Sequence, residues 1–314
     1  MHVELVGILP RAGILSLSSK HVAARSPIRR VTTMKSLLVA SGHGGTGRTT
    51  VVCQFAHYLR LVRGYRVLVL DLAEPACSAI SLTRGARARS MKRAALDIRS
   101  DRLSDVAEPC ICVLAADAVA GIAYRADPAG VHFYANLRHL LTRVAPLFDV
   151  CLIDSPPWPD ARAICAAALA DALISPVLLS PDTLEQVADF VNGSNGVRNV
   201  RARLNPSLCF IGIVPNCVEM TPRQQARFKP FEACVATWLV PHDQSPSGHL
   251  LLPRIDAISQ AQANGTSVLD LIPVGLAANR EWQAMSACFD VLARRLDSAN
   301  DAALPSEMAE ACHA

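Results

Sequence analysis

Lysine is nearly missing from this 314-residue chain. Lys20, Lys35, Lys92 and Lys229 stand against 27 arginines, so an arginine where lysine chemistry is expected reflects composition as readily as selection. The 11 cysteines contain no CxxC pair. Many stand singly inside apolar runs (Cys53, Cys151, Cys165, Cys209), as small buried hydrophobes do, and this usage fits a reducing cytoplasm better than secretion. Cys110 and Cys112 form a CxC, a weak metal or redox signal. No apolar run reaches the roughly 20 residues that span a bilayer, so no transmembrane segment is expected. Residues 1–33 are basic and Ser-rich but lack signal-peptide order, because their apolar part precedes most of the charges. No internal repeat is visible, which excludes solenoids and propellers. The net charge of +4 is small for this length and permits nucleic-acid contact without arguing for it.

What is present is apolar: 51% hydrophobic against 18% charged residues, enough to bury a large core. Strand and helix signals alternate without a linker, so one domain is expected over 34–297, with 1–33 a disordered extension and 298–314 a polar, frayed tail. Met34 is a candidate start of translation, just before the first strand. Ser36–Ala40 (SLLVA), Val67–Leu70 (VLVL) and Val150–Ile153 read as strands buried on both faces. Further strands are expected at Ile111–Ala115, 172–179, Cys209–Val214 and Trp238–Val240. Helices are expected at Thr49–Val62, ended by Gly64, and at 131–147, 160–170, 183–191, 221–235, 255–263 and 280–296. Residues 84–105 are rich in Arg and Ser and give no clear element. A repeating β-α pattern predicts an α/β fold, a mostly parallel sheet with helices on both faces, with ligands at the carboxyl ends of the strands. Asp71 and Asp154 both end strands there.

Between the first strand and first helix, residues 42–49 read GHGGTGRT, matching the phosphate-loop pattern GxxxxGK[ST] except for Arg48. Gly44, Gly45 and Gly47 let backbone amides turn onto an anion, and the following helix adds its positive end. Thr49 is placed to ligate Mg²⁺ through its hydroxyl.

The stretch His43-Gly44-Gly45-Thr46-Gly47-Arg48-Thr49-Thr50 resembles the loop KGGxGK[ST][ST] of the ParA/MinD P-loop ATPases, with both lysines replaced. Further blocks share the resemblance: VLVLDLAEPACSAISL at 67–82, FDVCLIDSPP at 148–157 like that family's Walker-B segment, DALISPVLLSPDTLEQV at 171–187, FIGIVPN at 210–216, and LPRIDAISQAQANGTSVLDL at 252–271. The likeness covers about 34–297. It implies a P-loop NTPase fold, ATP and Mg²⁺ as cofactors, and an ATP-dependent homodimer that positions a plasmid, a chromosome or other cargo. By the same resemblance His43 takes the place of the lysine that crosses the dimer, and Arg48 that of the lysine on its own subunit's phosphates. Asp71 and Asp154 would organise Mg²⁺ and water, and Asn216 with Pro253 and Arg254 would hold the base. The partners it suggests are a centromere-binding or cargo adaptor protein and non-specific DNA.

The departures fall on the reaction centre. Arginine is larger, planar and forked where lysine is a compact point charge. The family's water-orienting acid aligns with Ala73. Glu74 takes that role only with a one-residue shift of the loop, which Pro75 allows. Hydrolysis is therefore expected to be slow or lost, with binding less affected. Arg198, Arg201, Arg203, Arg223, Arg227 and Lys229 form a basic set that reads equally as a DNA contact or a solvated face, without aromatic interleaving. The stripe Trp282, Met285, Phe289, Leu292 and Leu296 reads as a core-covering helix rather than a membrane-targeting one. His57, His132 and His139 read as structural. Two other readings stay open: a non-catalytic accessory protein of a conjugation, secretion or polysaccharide-export system, and an ATP-dependent ligase on the same fold.

Overall fold

Continuous apolar runs can be stable strands only if both faces are covered, and that requirement organises the chain. The computed structural model describes residues 33–85, 87–91, 108–115, 131–219, 221–271 and 278–299. Among these residues the strands are β1 (Lys35–Val39), β2 (Val67–Asp71), β3 (Ala88–Ser90), β4 (Ile111–Ala115), β5 (Val150–Asp154), β6 (Ala172–Leu178) and β7 (Cys209–Asn216). They form one sheet in the order β3-β4-β2-β5-β1-β6-β7, and every pairing is parallel.

The helices are α1 (Arg48–Leu61), α2 (Cys77–Thr83), α3 (Val131–Val144), α4 (Ala161–Ala167), α5 (Thr183–Asn192), α6 (Val197–Arg203), α7 (Pro222–Val235), α8 (Ala257–Asn264) and α9 (Ala278–Asp297). Alternate strand residues feed two separate cores, as a period of two requires. Leu37, Val69, Leu152 and Ile174 pack with Phe55 and Leu59 of α1 and with Met285, Phe289 and Leu292 of α9. Leu38, Leu68, Ile153 and Leu173 pack with Phe133 and Leu137 of α3, Phe190 of α5 and Phe228 of α7. The fold class expected from the β-α pattern is the one observed. The α9 stripe is buried in the first core, so it covers the sheet. Gly64 has φ 68 and lets the Tyr65 amide close on the Leu59 carbonyl at 3.0 Å, which ends α1.

Three details differ from expectation. Trp238–Val240 does not form a strand. A 3-10 turn, Ala236–Trp238, leads into a single bridge between Leu239 and Ile213. Pro241 follows and has no N–H to continue a ladder. The segment lies tight against β7, since a Cβ on Gly212 would meet the Trp238 carbonyl at 2.5 Å. The unread stretch from 84 contains the edge strand β3, whose Arg89 and Ser90 are exposed. The basic run at 197–203 is the short helix α6, held by only two buried residues, Val197 and Val200. The expectations for 1–32 and 300–314 lie outside the described residues.

Helix α1 is buried all round from Val51 to Leu59, including the polar Gln54 and His57. His57 is 1% exposed, and its Nδ1 has no hydrogen-bond partner among the described residues. Burial lowers its pKa to about 4; Asp270 opposes that shift, while Arg60 and Arg87 add to it. A histidine held neutral stabilises the fold fully above its unfolded pKa near 6.5, and the contribution is lost as pH falls toward 4. The loss amounts to about 3 kcal/mol at most. His57→Leu is expected to flatten the fall in unfolding free energy between pH 7 and pH 4.5, measured by urea titration. An unchanged pH slope would contradict this role for His57.

Candidate functional site

The register of the sheet builds the site. Val39 and Asp71 both pair with Asp154, so the ends of β1, β2 and β5 lie side by side. The glycine loop leaves from β1 at this edge. Gly45 and Gly47 adopt φ 78 and φ 91, the left-handed region that favours glycine. Helix α1 then starts at Arg48 with no side-chain cap on its first amides and no acidic residue in its first turn. Those orphan amides and the positive helix end are what an anion satisfies.

The loop is held from inside. Ser41, 1% exposed, donates to the His43 carbonyl at 2.9 Å and shares a hydrogen bond with the Thr46 hydroxyl at 2.8 Å. Asn216, at the end of β7, donates from Nδ2 to the Thr46 carbonyl at 2.9 Å. A Cβ on Gly47 would lie 2.2 Å from that same Nδ2, so the close approach of Asn216 also requires glycine there. Arg48 folds back over the loop and donates from Nη1 to the His43 carbonyl at 2.6 Å and to the Ser41 hydroxyl at 2.5 Å. Burial lowers its pKa, and the charge of Asp154 opposes this. His43 itself is exposed.

Behind the loop lie two fully buried carboxylates. Asp154 accepts from the Thr49 hydroxyl at 2.8 Å through Oδ2, and its Oδ1 is buried without a partner among the described residues. Burial first, and the neighbouring Asp71 charge second, raise its pKa to about 7, with Thr49 and Arg48 working against the shift. The charged form is therefore the costly one in this fold: stability is greatest with Asp154 protonated and is lost as pH rises through about 7. Asp71 is engaged differently. Its Oδ1 accepts from the Ala73 amide at 3.1 Å and its Oδ2 from the Ala79 amide at 2.8 Å, which ties the loop after β2 and the start of α2 to the sheet. Ser78 is fully buried beside the pair, its hydroxyl easing both charges without a well-formed bond. An unpartnered carboxylate oxygen next to a threonine hydroxyl suits a hard, oxygen-seeking dication such as Mg²⁺.

Thr50, Asn216 and Pro253 meet elsewhere, around a small pocket whose other walls are Val51, Gln54, Leu252, Ile258, Met285 and Phe289. Arg254 does not line it. It is 59% exposed and pairs with Glu219 at 3.1 Å and Asp256 at 3.3 Å. Glu74 is 62% exposed, with Oε2 3.9 Å from Nη1 of Arg162. That arginine is nearly buried and doubly bonded to Asp160, the cap of α4. Sequence reasoning passed over Ser41, Gln54, Ser78 and Arg162. For Ser41, the signal was a small hydroxyl residue immediately before the glycine loop.

Gly47→Ala is expected to lower the melting temperature by several degrees, since a left-handed alanine costs about 1–2 kcal/mol before any clash. Asn216→Ala removes the group the new methyl would strike, so the double variant should be less destabilised than the sum of the singles. Strict additivity in a thermal double-mutant cycle would contradict the close approach.

A family model described as an AAA domain (AAA_31) matches residues 34–210. The chain is 29% identical over 212 residues to Protein IncC of Escherichia coli, covering 66% of this chain and 57% of that one. It is 28% identical over 205 residues to the chromosome-partitioning ATPase Soj of Thermus thermophilus, covering 60% of this chain and 70% of that one. It thus spans a little over half the length of the IncC relatives it matches. Among solved structures, a variant of Cyanothece McdA in complex with ATP superposes with a TM-score of 0.59 at 16% identity, over 83% of this chain and 96% of that one. A chain of the MinC:MinD cell division protein complex of Aquifex aeolicus superposes at 0.57 and 14% identity, over 86% and 97%. These structural likenesses carry the fold, and the sequence match carries the family. Residues 34–210 contain the glycine loop, Asp71 and Asp154, and the chain belongs to the AAA-domain family of P-loop proteins, in the ParA/MinD group.

Proposed function

We propose that this chain binds ATP with Mg²⁺ and uses it as a slow switch, dimerising to partition or position a plasmid, chromosome or other large cargo. The observation that carries the reading is the pairing of an uncapped helix start with the buried, unpartnered Oδ1 of Asp154. The loop amides, Arg48 and Thr49 would hold the phosphates. Thr49 and Asp154 would hold Mg²⁺, with the Asp71 charge beside it. Asn216 and Pro253 would face the base, and Arg254 would close over it from outside the pocket. His43, exposed on the loop, would meet the phosphates of a second copy. DNA and a centromere-binding or cargo adaptor protein are the proposed partners, in the cytoplasm. Slow hydrolysis is supported by Ala73, whose amide bonds Asp71 where a carboxylate would orient water, and by the exposure of Glu74. Phosphoryl transfer depends on such positioning groups.

A second reading has its own support. Nη1 of Arg48 is already engaged by carbonyl and hydroxyl groups of its own loop, as it would be in an accessory protein that keeps the fold as a scaffold. Binding of a fluorescent ATP analogue with Mg²⁺ separates the two. Saturable binding by the wild type, weakened at least about tenfold in Arg48→Ala, is the expected result, the worth of one charge-assisted phosphate contact. A well-folded wild type that does not bind would sink the nucleotide reading and leave the scaffold.

A further inference from the structure

The pocket beside the glycine loop is lined by a polar group, Gln54, with one end unpartnered among the described residues. Gln54 is 1% exposed in the middle of α1. Its Oε1 accepts from the Val268 amide at 3.2 Å. Because a backbone N–H can only donate, this bond fixes which end of the side-chain amide is oxygen. The other end, Nε2, is buried with no hydrogen-bond partner among the described residues, and Gln54 lines the pocket. A buried N–H without an acceptor costs about 1–3 kcal/mol, so such a donor calls for a ligand acceptor.

The surroundings define that ligand. Val51, Leu252, Ile258, Met285 and Phe289 make the walls apolar, as a flat heteroaromatic ring requires. Asn216 uses Nδ2 on the Thr46 carbonyl, so the end it can turn to a ligand is its carbonyl oxygen. The pocket thus offers a donor from Gln54 and an acceptor from Asn216. Adenine presents an exocyclic amino donor beside a ring-nitrogen acceptor on either edge, whereas guanine presents two acceptors on its N7 edge and a ring N–H beside an exocyclic carbonyl on the other.

We infer that Gln54 is a specificity-determining residue, donating from Nε2 to a ring nitrogen of an adenine base seated between Asn216 and the apolar walls. This rests on the proposal that the glycine loop binds a nucleotide. Gln54 touches the base and not the reacting phosphate, so its effect falls on base affinity alone. His57, one turn further along α1, is not among the residues lining the pocket.

The test compares Mg·ATP with magnesium tripolyphosphate, which carries the phosphates without a base, by isothermal titration of the full chain. Gln54→Met keeps the length of the side chain and removes both polar ends. Gln54→Leu removes them with a shorter side chain. In both variants ATP is expected to bind about tenfold more weakly, the worth of one hydrogen bond, while tripolyphosphate affinity stays at the wild-type value. One of 1-deaza-, 3-deaza- and 7-deaza-ATP should bind the wild type as weakly as ATP binds Gln54→Met, with no further loss in the variant. Equal ATP affinity in wild type and Gln54→Met would overturn the assignment. So would a parallel loss of ATP and tripolyphosphate, which marks a purely structural role. A wild type that binds neither probe overturns the nucleotide reading and this inference together, whereas one that binds tripolyphosphate as tightly as ATP overturns this inference alone.

Discussion

Two carboxylates buried side by side are the constraint on which this structure turns. Asp71 and Asp154 are register partners at the ends of adjacent parallel strands, both without solvent exposure. Like charges in a dry interior oppose each other, and among the described residues neither forms an ion pair with a cationic side chain. The fold handles them unequally. Asp71 is bonded by backbone amides, which offset part of the burial that raises its pKa, and so becomes part of the architecture of the loop after β2. Asp154 has one threonine hydroxyl and one bare oxygen. Of the two carboxylates, the unpartnered oxygen is the single Oδ1 of Asp154, beside the glycine loop, where a bound cation would relieve it.

The loop follows the same logic on its own scale. Its left-handed glycines, the Ser41 hydroxyl inside it and the Asn216 amide beneath it hold a ring of backbone around an uncapped helix start. Arg48 lies over that ring on the loop's own carbonyl and hydroxyl oxygens. All of these bonds leave one guanidinium nitrogen, Nη1, and a phosphate bound here would have to compete with them.

Much of this was legible in the chain itself. Strands β1, β2 and β5 are unbroken apolar runs, two of them ending in aspartate, and the glycine spacing marks the loop between β1 and α1. The illegible parts depend on tertiary neighbours. Strand β3 is three residues long and mostly exposed, so nothing apolar announces it. Helix α6 is arginine-rich with two buried valines, and it reads as a surface until its partners are known. Gln54 and His57 sit in a helix buried on every side, so no amphipathic period separates them from the core residues around them. Glu74 could be aligned with a catalytic position by shifting one residue, yet its carboxylate lies out at Arg162.

The central claim is that Asp154 is held in the fold for a ligand, at a cost to the protein alone. Thermal unfolding of wild type and Asp154→Asn at pH 8, each with and without Mg·ATP, tests it most directly. The ligand-free variant is predicted to melt at a higher temperature than the wild type, and Mg·ATP to stabilise the wild type but not the variant. A ligand-free variant that melts below the wild type, or that gains as much from Mg·ATP, would contradict the claim.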